Sequence, residues 1–150
     1  MEKELMIGIG LAAFVALVVS VIIFHQETAV VQNPFLNNVC AVTRSNCQAV
    51  QESIYGNVFG IDNAVIGMVG YSLLLLSLLI WIVTRRAEIQ WIVLLGSLIA
   101  GLMSLRFLYL QAFVLKEYCI FCVAADSMGV ILLALGITAL ARAKKANSHR

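Results

Sequence analysis

The sequence is poor in charged residues and in proline, and both shortages narrow the classes of protein to which it can belong. Asp, Glu, Lys and Arg make up 12% of the 150 residues, whereas soluble domains contain about 25%. The single proline and the absence of low-complexity tracts argue against a disordered chain. Hydrophobic residues instead make up 62%, and the mean hydropathy is +0.98. This composition predicts an all-α membrane protein with one domain over residues 1–150, and the net charge of +2 gives no sign of nucleic-acid binding.

Four apolar runs are long enough to cross a bilayer, which takes about 20 residues in a helix. We predict helices over about 6–24, 64–83, 91–115 and 119–141, with an outer loop over about 25–63. The first run follows the acidic start "MEKE" and is too long for a signal peptide, so we expect it to be retained. Short turns make the last three helices antiparallel neighbours. The expected architecture is a four-transmembrane-helix bundle.

The basic residues are divided unequally between the two sides of this predicted bundle. Arg44 and Lys116 lie on the side of the long loop. Seven others lie on the side of the termini: Lys3, Arg85, Arg86, Arg142, Lys144, Lys145 and Arg150. Because cytoplasmic segments carry the excess of Lys and Arg, we expect both termini in the cytoplasm and the long loop outside. We expect a multi-pass membrane protein. Because the tail "KKANSHR" has no lysine-lysine signal at its final positions, we expect a prokaryotic cell membrane rather than the endoplasmic reticulum.

The outer loop has the pattern of a short amphipathic helix. Ser45 or Asn46 can cap its start, Cys47 falls in its first turn, and Gly56 or Gly60 can end it. Its apolar face would comprise Ala49, Val50, Ile54 and Val58. We expect this helix to lie against the mouth of the bundle.

All four cysteines fall on the predicted outer side, where disulfides form and persist. Cys40 and Cys47 lie in the loop, and Cys119 and Cys122 form a C-x-x-C pair at the start of the fourth helix. A helix N-terminus favours the thiolate, so the C-x-x-C pair can cycle between dithiol and disulfide. Two dithiols on one side allow thiol–disulfide exchange between the pairs.

Three plainer interpretations of the cysteines stay open. The C-x-x-C pair can be an inert disulfide or two packed thiols, although such a short loop gains little stability from closure. The loop pair can be a structural disulfide. All four cysteines can form a zinc site. The usual zinc site has two C-x-x-C knuckles, and the C-x6-C spacing does not match, so we expect no metal.

The electrons that reach Cys119 and Cys122 need an acceptor, and the sequence contains neither a C-x-x-C-H haem motif nor a flavin fingerprint. The simplest two-electron acceptor at the edge of an apolar bundle is a lipid-soluble quinone of the ubiquinone or menaquinone type. Aromatic residues near this edge are candidates for its binding site, or are membrane anchors: Phe107, Tyr109, Phe113, Tyr118 and Phe121.

Taken together, these motifs resemble the vitamin K epoxide reductase family, and its prokaryotic homologues in particular. The resemblance rests on the C-x6-C pair, Ser53 six residues later, "YGNVFG", Asn63 in "NAVIGMVGY", and "YCIFC". It covers most of the chain, from about Cys40 to Asp126. It implies a four-helix bundle that holds a quinone and takes electrons from a thioredoxin-like extracytoplasmic partner, promoting disulfide formation in exported proteins. We expect a separate partner protein, because the chain ends at "KKANSHR".

The resemblance also assigns roles to individual residues. It implies that the partner attacks Cys40, that Cys47 then attacks Cys119, and that Cys122 faces the quinone. Ser53 and Asn63 match positions near the quinone pocket. Asn63 would donate a hydrogen bond to a quinone carbonyl, or would cap the second helix.

Asp126 departs from the vertebrate enzymes, which have a tyrosine four residues after the second C-x-x-C cysteine. Its carboxylate shares a helix face with Cys119 and Cys122, so we expect it to point toward the pocket. Charges inside a membrane are usually paired or functional. We expect an ion pair with Arg106, or a carboxylate that delivers protons to the quinone. The departure favours plain quinone reduction over reduction of vitamin K epoxide.

Two other functions remain in competition. The DsbB type of quinone-reducing enzyme also has four helices and two cysteine pairs, but its C-x-x-C pair lies in the first outer loop. A non-enzymatic four-helix membrane protein in the style of claudins would use a loop disulfide to hold an adhesion surface. That class has no need of a C-x-x-C pair at a helix mouth.

Overall fold

The chain folds into four long helices and a short-element segment between the first two of them. The structure, a computed structural model, describes residues 2–28, 34–58 and 60–148. The elements are α1 (Glu2–Thr28), α2 (Pro34–Val42), α3 (Cys47–Gln51), β1 (Asn57–Val58), β2 (Ile61–Asp62), α4 (Asn63–Thr84), α5 (Ala87–Tyr109) and α6 (Ile120–Ser148). Within the described residues, α1, α4, α5 and α6 are long and apolar enough to cross a membrane. The predicted all-α, four-transmembrane-helix fold is confirmed.

The long helices pack mainly in the order α1, α4, α5, α6 around the bundle, with α6 returning to α1. Their core lies at the bundle axis, and α1 contributes small residues to it, including Ala12, Ala13 and Ala16. Small side chains allow helix backbones to approach closely in a membrane. The outward faces are apolar, as a lipid environment requires, since Leu11, Leu79 and many similar side chains are exposed.

The closest approach of α5 and α6 depends on glycine. A Cβ atom at Gly101 would come within 2.8 Å of the Gly129 carbonyl oxygen and 2.9 Å of the Leu133 Cα atom. A Cβ atom at Gly129 would overlap the side chain of Ser104. These two glycines therefore bring α5 and α6 together between two and three turns after the start of α6.

The turn between α4 and α5 is only two residues long. Arg85 ends α4 in the left-handed conformation, and its N–H donates to the Trp81 carbonyl oxygen at 2.8 Å. Its guanidinium lies over the Trp81 ring, 4.7 Å from the centroid. This short turn makes α4 and α5 antiparallel neighbours, as predicted.

The outer segment has more structure than the predicted single helix. The Asn46 side chain accepts a hydrogen bond from the Ala49 N–H, as expected of a cap. However, α3 ends at Gln51, because the Ser53 hydroxyl donates to the Val50 carbonyl oxygen and accepts from the Gly56 N–H. Ile54, expected on the apolar face, is exposed, and the Val58 side chain lies outside the described residues.

The third membrane helix does not keep α-helical geometry to its end. After Tyr109 it continues as a π-helical segment, Leu110–Leu115, and stops where Lys116 adopts the left-handed conformation. Its end at residue 115 agrees with the prediction, but the apolar pattern gives no signal for the change of helix type. The π segment turns the buried side chain of Gln111 toward α6.

The orientation of the bundle in the membrane stays a prediction from the basic residues. Among these, Arg150 and the side chains of Lys144 and Lys145 lie outside the described part of the chain.

Candidate functional site: two cysteine pairs beside an apolar cavity

The loop cysteines are joined in a disulfide that links the end of α2 to the start of α3. Cys40 lies in the last turn of α2, and Cys47 is the first residue of α3. A tight turn between them is held by the Ser45 N–H, which donates to the Cys40 carbonyl oxygen at 2.9 Å. Both cysteines are buried, but the turn that follows Cys40, from Ala41 to Arg44, is exposed. The disulfide is therefore buried beside an exposed segment of chain.

The second pair occupies the beginning of α6. Cys119 comes directly before the helix and is fully buried, and Cys122 lies in the first turn. Both residues carry thiols in this structure. The Cys119 sulfur accepts a hydrogen bond from the Cys122 N–H at 3.3 Å, the contact that an N-cap side chain makes. The sulfur of Cys119 thus lies where the N-terminal backbone groups of α6 favour negative charge.

A backbone hydrogen bond brings the two pairs together. The Asn46 N–H donates to the Tyr118 carbonyl oxygen at 2.9 Å, and these residues immediately precede Cys47 and Cys119. The cysteines pack in one buried cluster around Val50. The cluster consists of Cys40, Cys47, Val50 and Cys119, and Leu115, Phe121 and Cys122 pack against it. The four cysteines therefore meet at one end of the bundle.

A cavity of about 510 Å³ begins beside this cluster and runs into the bundle. Its wall is formed by α1, α3, α4, α5, the π segment and α6, and most of the lining is apolar. Of the four cysteines, Cys122 lines the cavity. Val50 and Leu115 belong both to the cavity wall and to the cysteine cluster. A cavity of this size with few polar groups is typical of a site for a small organic molecule.

The structure places the other predicted site residues in two groups. Ser53, Asn63 and Asp126 line the cavity. Tyr109 and Phe113 are not among its lining residues, are 59% and 68% exposed, and pack on each other with ring centroids 5.0 Å apart. Of the remaining predicted aromatic residues, Phe107 lines the cavity. Position along the helix shows that a ring lies near the bundle mouth, but it does not show whether the ring faces the cavity or the outside of the bundle.

Asp126 belongs to a buried polar group rather than to an ion pair. Its Oδ2 accepts a hydrogen bond from Gln111 Nε2 at 3.3 Å, and its carboxylate lies near the Ser104 side chain. The expected pair with Arg106 does not form. Ser104 and Gln111 are seven residues apart on one face of α5 and the π segment. Arg106 also lines the cavity, but it leaves the helix in a different direction from Ser104 and is exposed.

Gln111 connects this polar group to the cysteines. Its Oε1 accepts a hydrogen bond from the Cys119 N–H at 3.2 Å while its Nε2 donates to Asp126. Tyr71 completes the group, because its hydroxyl lies near Ser104. Sequence reasoning missed Gln111, Ser104 and Tyr71. Their presence as polar residues inside predicted membrane helices was the available signal.

Within the described residues, two amide side chains in the cavity wall each have a buried atom that meets no hydrogen-bond partner: Gln51 Nε2 and Asn63 Oδ1. The Asn63 Nδ2 donates to the Tyr55 carbonyl oxygen at 2.7 Å. The atom that Asn63 leaves for a ligand is therefore an acceptor rather than the expected donor. Asn63 does not cap α4 either, because Asp62 is the cap residue and Asn63 is the first helical residue.

The model of the vitamin K epoxide reductase family matches residues 7–137. The chain belongs to this family. No curated protein sequence matches it significantly. As a member of the vitamin K epoxide reductase family with four membrane-spanning helices, the protein is a membrane thiol oxidoreductase in a lipid bilayer. This membership excludes the DsbB type and the claudin-like interpretation.

Vitamin K epoxide reductase family members use quinones, and the cavity fits such a molecule. A quinone is a flat apolar ring with oxygen atoms at its edges. The apolar wall suits the ring, and the orphaned Gln51 Nε2 can donate a hydrogen bond to one of the quinone oxygens. Among the described residues, no group of three His, Cys, Asp or Glu side chains is placed to hold a metal ion.

Proposed function

We propose that the protein passes electrons from a thioredoxin-like extracytoplasmic partner through Cys40 and Cys47 to Cys119 and Cys122, and on to a quinone. The observation that carries this proposal is the single buried cluster formed by the two cysteine pairs beside the cavity. In the cell, this activity would promote disulfide formation in exported proteins. The quinone would be of the ubiquinone or menaquinone type.

The first transfers are thiol–disulfide exchanges. A partner thiolate attacks the Cys40 sulfur and releases the Cys47 thiolate, and the second partner thiolate then resolves the mixed disulfide, leaving the partner oxidised. The exposed turn after Cys40 gives a partner room to approach. Cys47 attacks Cys119 of the Cys119–Cys122 disulfide, and Cys40 restores the Cys40–Cys47 bond. Each exchange breaks one sulfur–sulfur bond and forms another.

The last transfer takes place at the cavity. When bound, a quinone accepts the two electrons and two protons that the Cys119 and Cys122 dithiol loses on forming its disulfide. Cys122 is the cysteine that lines the cavity, and Asp126 lies one helical turn further along the same face. Ser53 supports this site indirectly, because its hydroxyl holds the turn that carries Tyr55 and Gly56.

The test is quinone reduction by purified protein supplied with a reduced thioredoxin-like protein. We expect Cys122→Ala to reduce turnover to the background rate while the protein stays folded, because the residue facing the cavity has lost its sulfur. A matched variant, Ser127→Ala, removes a hydroxyl that donates to the Val123 carbonyl oxygen within α6 and should retain activity. Wild-type turnover in Cys122→Ala would remove the proposed electron exit.

A further inference from the structure

The two orphaned amide atoms in the cavity wall differ in kind. Gln51 Nε2 is a donor and Asn63 Oδ1 is an acceptor, and both are buried. A buried polar atom without a partner is costly, and native proteins satisfy almost all such atoms. Their position in the wall of a ligand-sized cavity points to a ligand that supplies both missing hydrogen bonds.

The orientation of the Asn63 amide is fixed by its neighbour. Its Nδ2 donates to the carbonyl oxygen of Tyr55, which can only accept. Turning the amide over would place two acceptors against each other. Oδ1 therefore faces the cavity as an acceptor and requires a donor from the ligand.

The two amides belong to backbone segments that meet at Gly56. The Gly56 carbonyl oxygen accepts from the Asn63 N–H at 3.0 Å, and a Cβ atom at Gly56 would overlap the backbone of Gln51. Both side chains thus start from the same end of the cavity. Val50, next to Gln51, packs in the cysteine cluster, so this is also the end nearest the thiols.

We propose that Gln51 and Asn63 form a donor–acceptor pair that binds an aromatic hydroxyl, so that the cavity holds a hydroquinone more tightly than the corresponding quinone. The proposal rests on the quinone reduction proposed above. A hydroxyl accepts from Gln51 Nε2 and donates to Asn63 Oδ1. A quinone carbonyl only accepts, and it leaves Asn63 Oδ1 without a partner.

This preference would favour oxidation of the dithiol. In the overall step, the thiols of Cys119 and Cys122 become a disulfide while the quinone takes up their two electrons and two protons and becomes a hydroquinone. Tighter binding of the reduced form shifts the equilibrium of the bound reactants toward the disulfide by the same factor. A tenfold preference corresponds to about 30 mV for a two-electron couple.

The experiment measures binding without turnover. The Cys122→Ala protein in nanodiscs would be equilibrated under anaerobic conditions with duroquinone, its hydroquinone, or the dimethyl ether of that hydroquinone. We expect the hydroquinone to bind about tenfold more tightly than the quinone, equivalent to about 1.4 kcal/mol. The ether accepts but cannot donate, so it should bind no more tightly than the quinone.

Variants separate the contributions of the two amides. Gln51→Met should weaken binding of both forms severalfold, whereas Gln90→Met, in a crevice with Leu5, Met6 and Arg142 outside the cavity, should leave both unchanged. Asn63→Leu should remove the preference for the hydroquinone, with circular dichroism and thermal melting as the check on folding.

The outcomes distinguish this inference from the proposed function. Equal affinities for quinone and hydroquinone, in a protein whose wild-type form reduces duroquinone, would overturn the inference and leave the proposed function standing. If neither the quinone nor the hydroquinone binds, both the inference and the proposed function are overturned.

Discussion

At the scale of single residues, Gln111 organises the start of α6. Its amide accepts from the Cys119 N–H and donates to Asp126, while the Cys119 sulfur accepts from the Cys122 N–H. Two of the backbone donors at the start of α6, those of Cys119 and Cys122, are thus satisfied by an amide and by a thiol. This arrangement fixes the position of Cys119 relative to the cavity wall.

We predict that Gln111→Leu destabilises the protein by about 1–3 kcal/mol, because the buried Cys119 N–H loses its partner and Asp126 loses one of its own. Thermal melting in detergent measures this loss, and alkylation of Cys119 should become faster. Gln90→Leu is the matched control, since Gln90 lies in the separate crevice with Leu5 and Arg142. A Gln111→Leu protein with the melting temperature and alkylation rate of the wild type would show that the bridge has no positioning role.

Some cavity residues were predicted from the sequence and others were misplaced, because the sequence indicates depth along a helix but not the direction in which each side chain points. Ser53, Asn63 and Asp126 were predicted near the pocket, and all three line the cavity. The expected Arg106–Asp126 pair was based on depth along the helices, which says nothing about rotation around the helix axis. The same rotation puts Tyr109 and Phe113 outside the cavity wall. The π segment adds to this difference, because it changes the angle between successive side chains.

At the scale of elements, close contact between α5 and α6 sets the geometry of the polar group. Gly101 and Gly129 allow the backbones to approach, which brings Ser104 of one helix beside Asp126 of the other. The sequence alone does not reveal which of its ten glycines lie at such contacts. Glycine in a membrane helix can lie at a helix contact, in a groove or facing lipid, so the residue type alone does not identify the contact.

We predict that Gly101→Ala destabilises the bundle by about 1–3 kcal/mol, because the new methyl group meets backbone atoms of α6 that cannot move aside. Thermal melting monitored by circular dichroism measures the effect. The control is Gly70→Ala, which makes the same substitution in α4 where nothing lies within 4 Å. Equal melting temperatures for the two variants would contradict the proposed contact.

The four membrane helices were predictable because each is a long apolar run. The observed helices differ from the predicted ones mainly in where they begin and end. The outer segment was less predictable. α2, which carries Cys40, has only nine residues, too few for its apolar pattern to stand out in the sequence. α3 is shorter than expected because Ser53 competes for a helix carbonyl group. Side-chain hydrogen bonds of this kind decide where short helices stop, and hydrophobic pattern does not report them.

At the scale of the whole molecule, the predicted topology places the cysteine end of the bundle outside the cytoplasm. In a variant without native cysteines, a cysteine at position 54 should react with an impermeant maleimide added to intact cells, because Ile54 is exposed at that end. Arg85→Cys, in the exposed turn at the other end, should react only after the membrane is opened. The reverse labelling pattern would place the disulfide chemistry in the cytoplasm.

The central claim is that electrons pass between the two cysteine pairs where the Asn46 N–H donates a hydrogen bond to the Tyr118 carbonyl oxygen. The most direct measurement is disulfide trapping in the Cys40→Ala, Cys122→Ala double variant, which retains only Cys47 and Cys119. With a mild oxidant in native membranes, we predict an intramolecular Cys47–Cys119 disulfide, identified by mass spectrometry of the linked peptides. It should form faster than the Cys47–Cys122 bond in the Cys40→Ala, Cys119→Ala control. A folded double variant in which both thiols stay open to alkylation and no linked peptide appears would contradict the account.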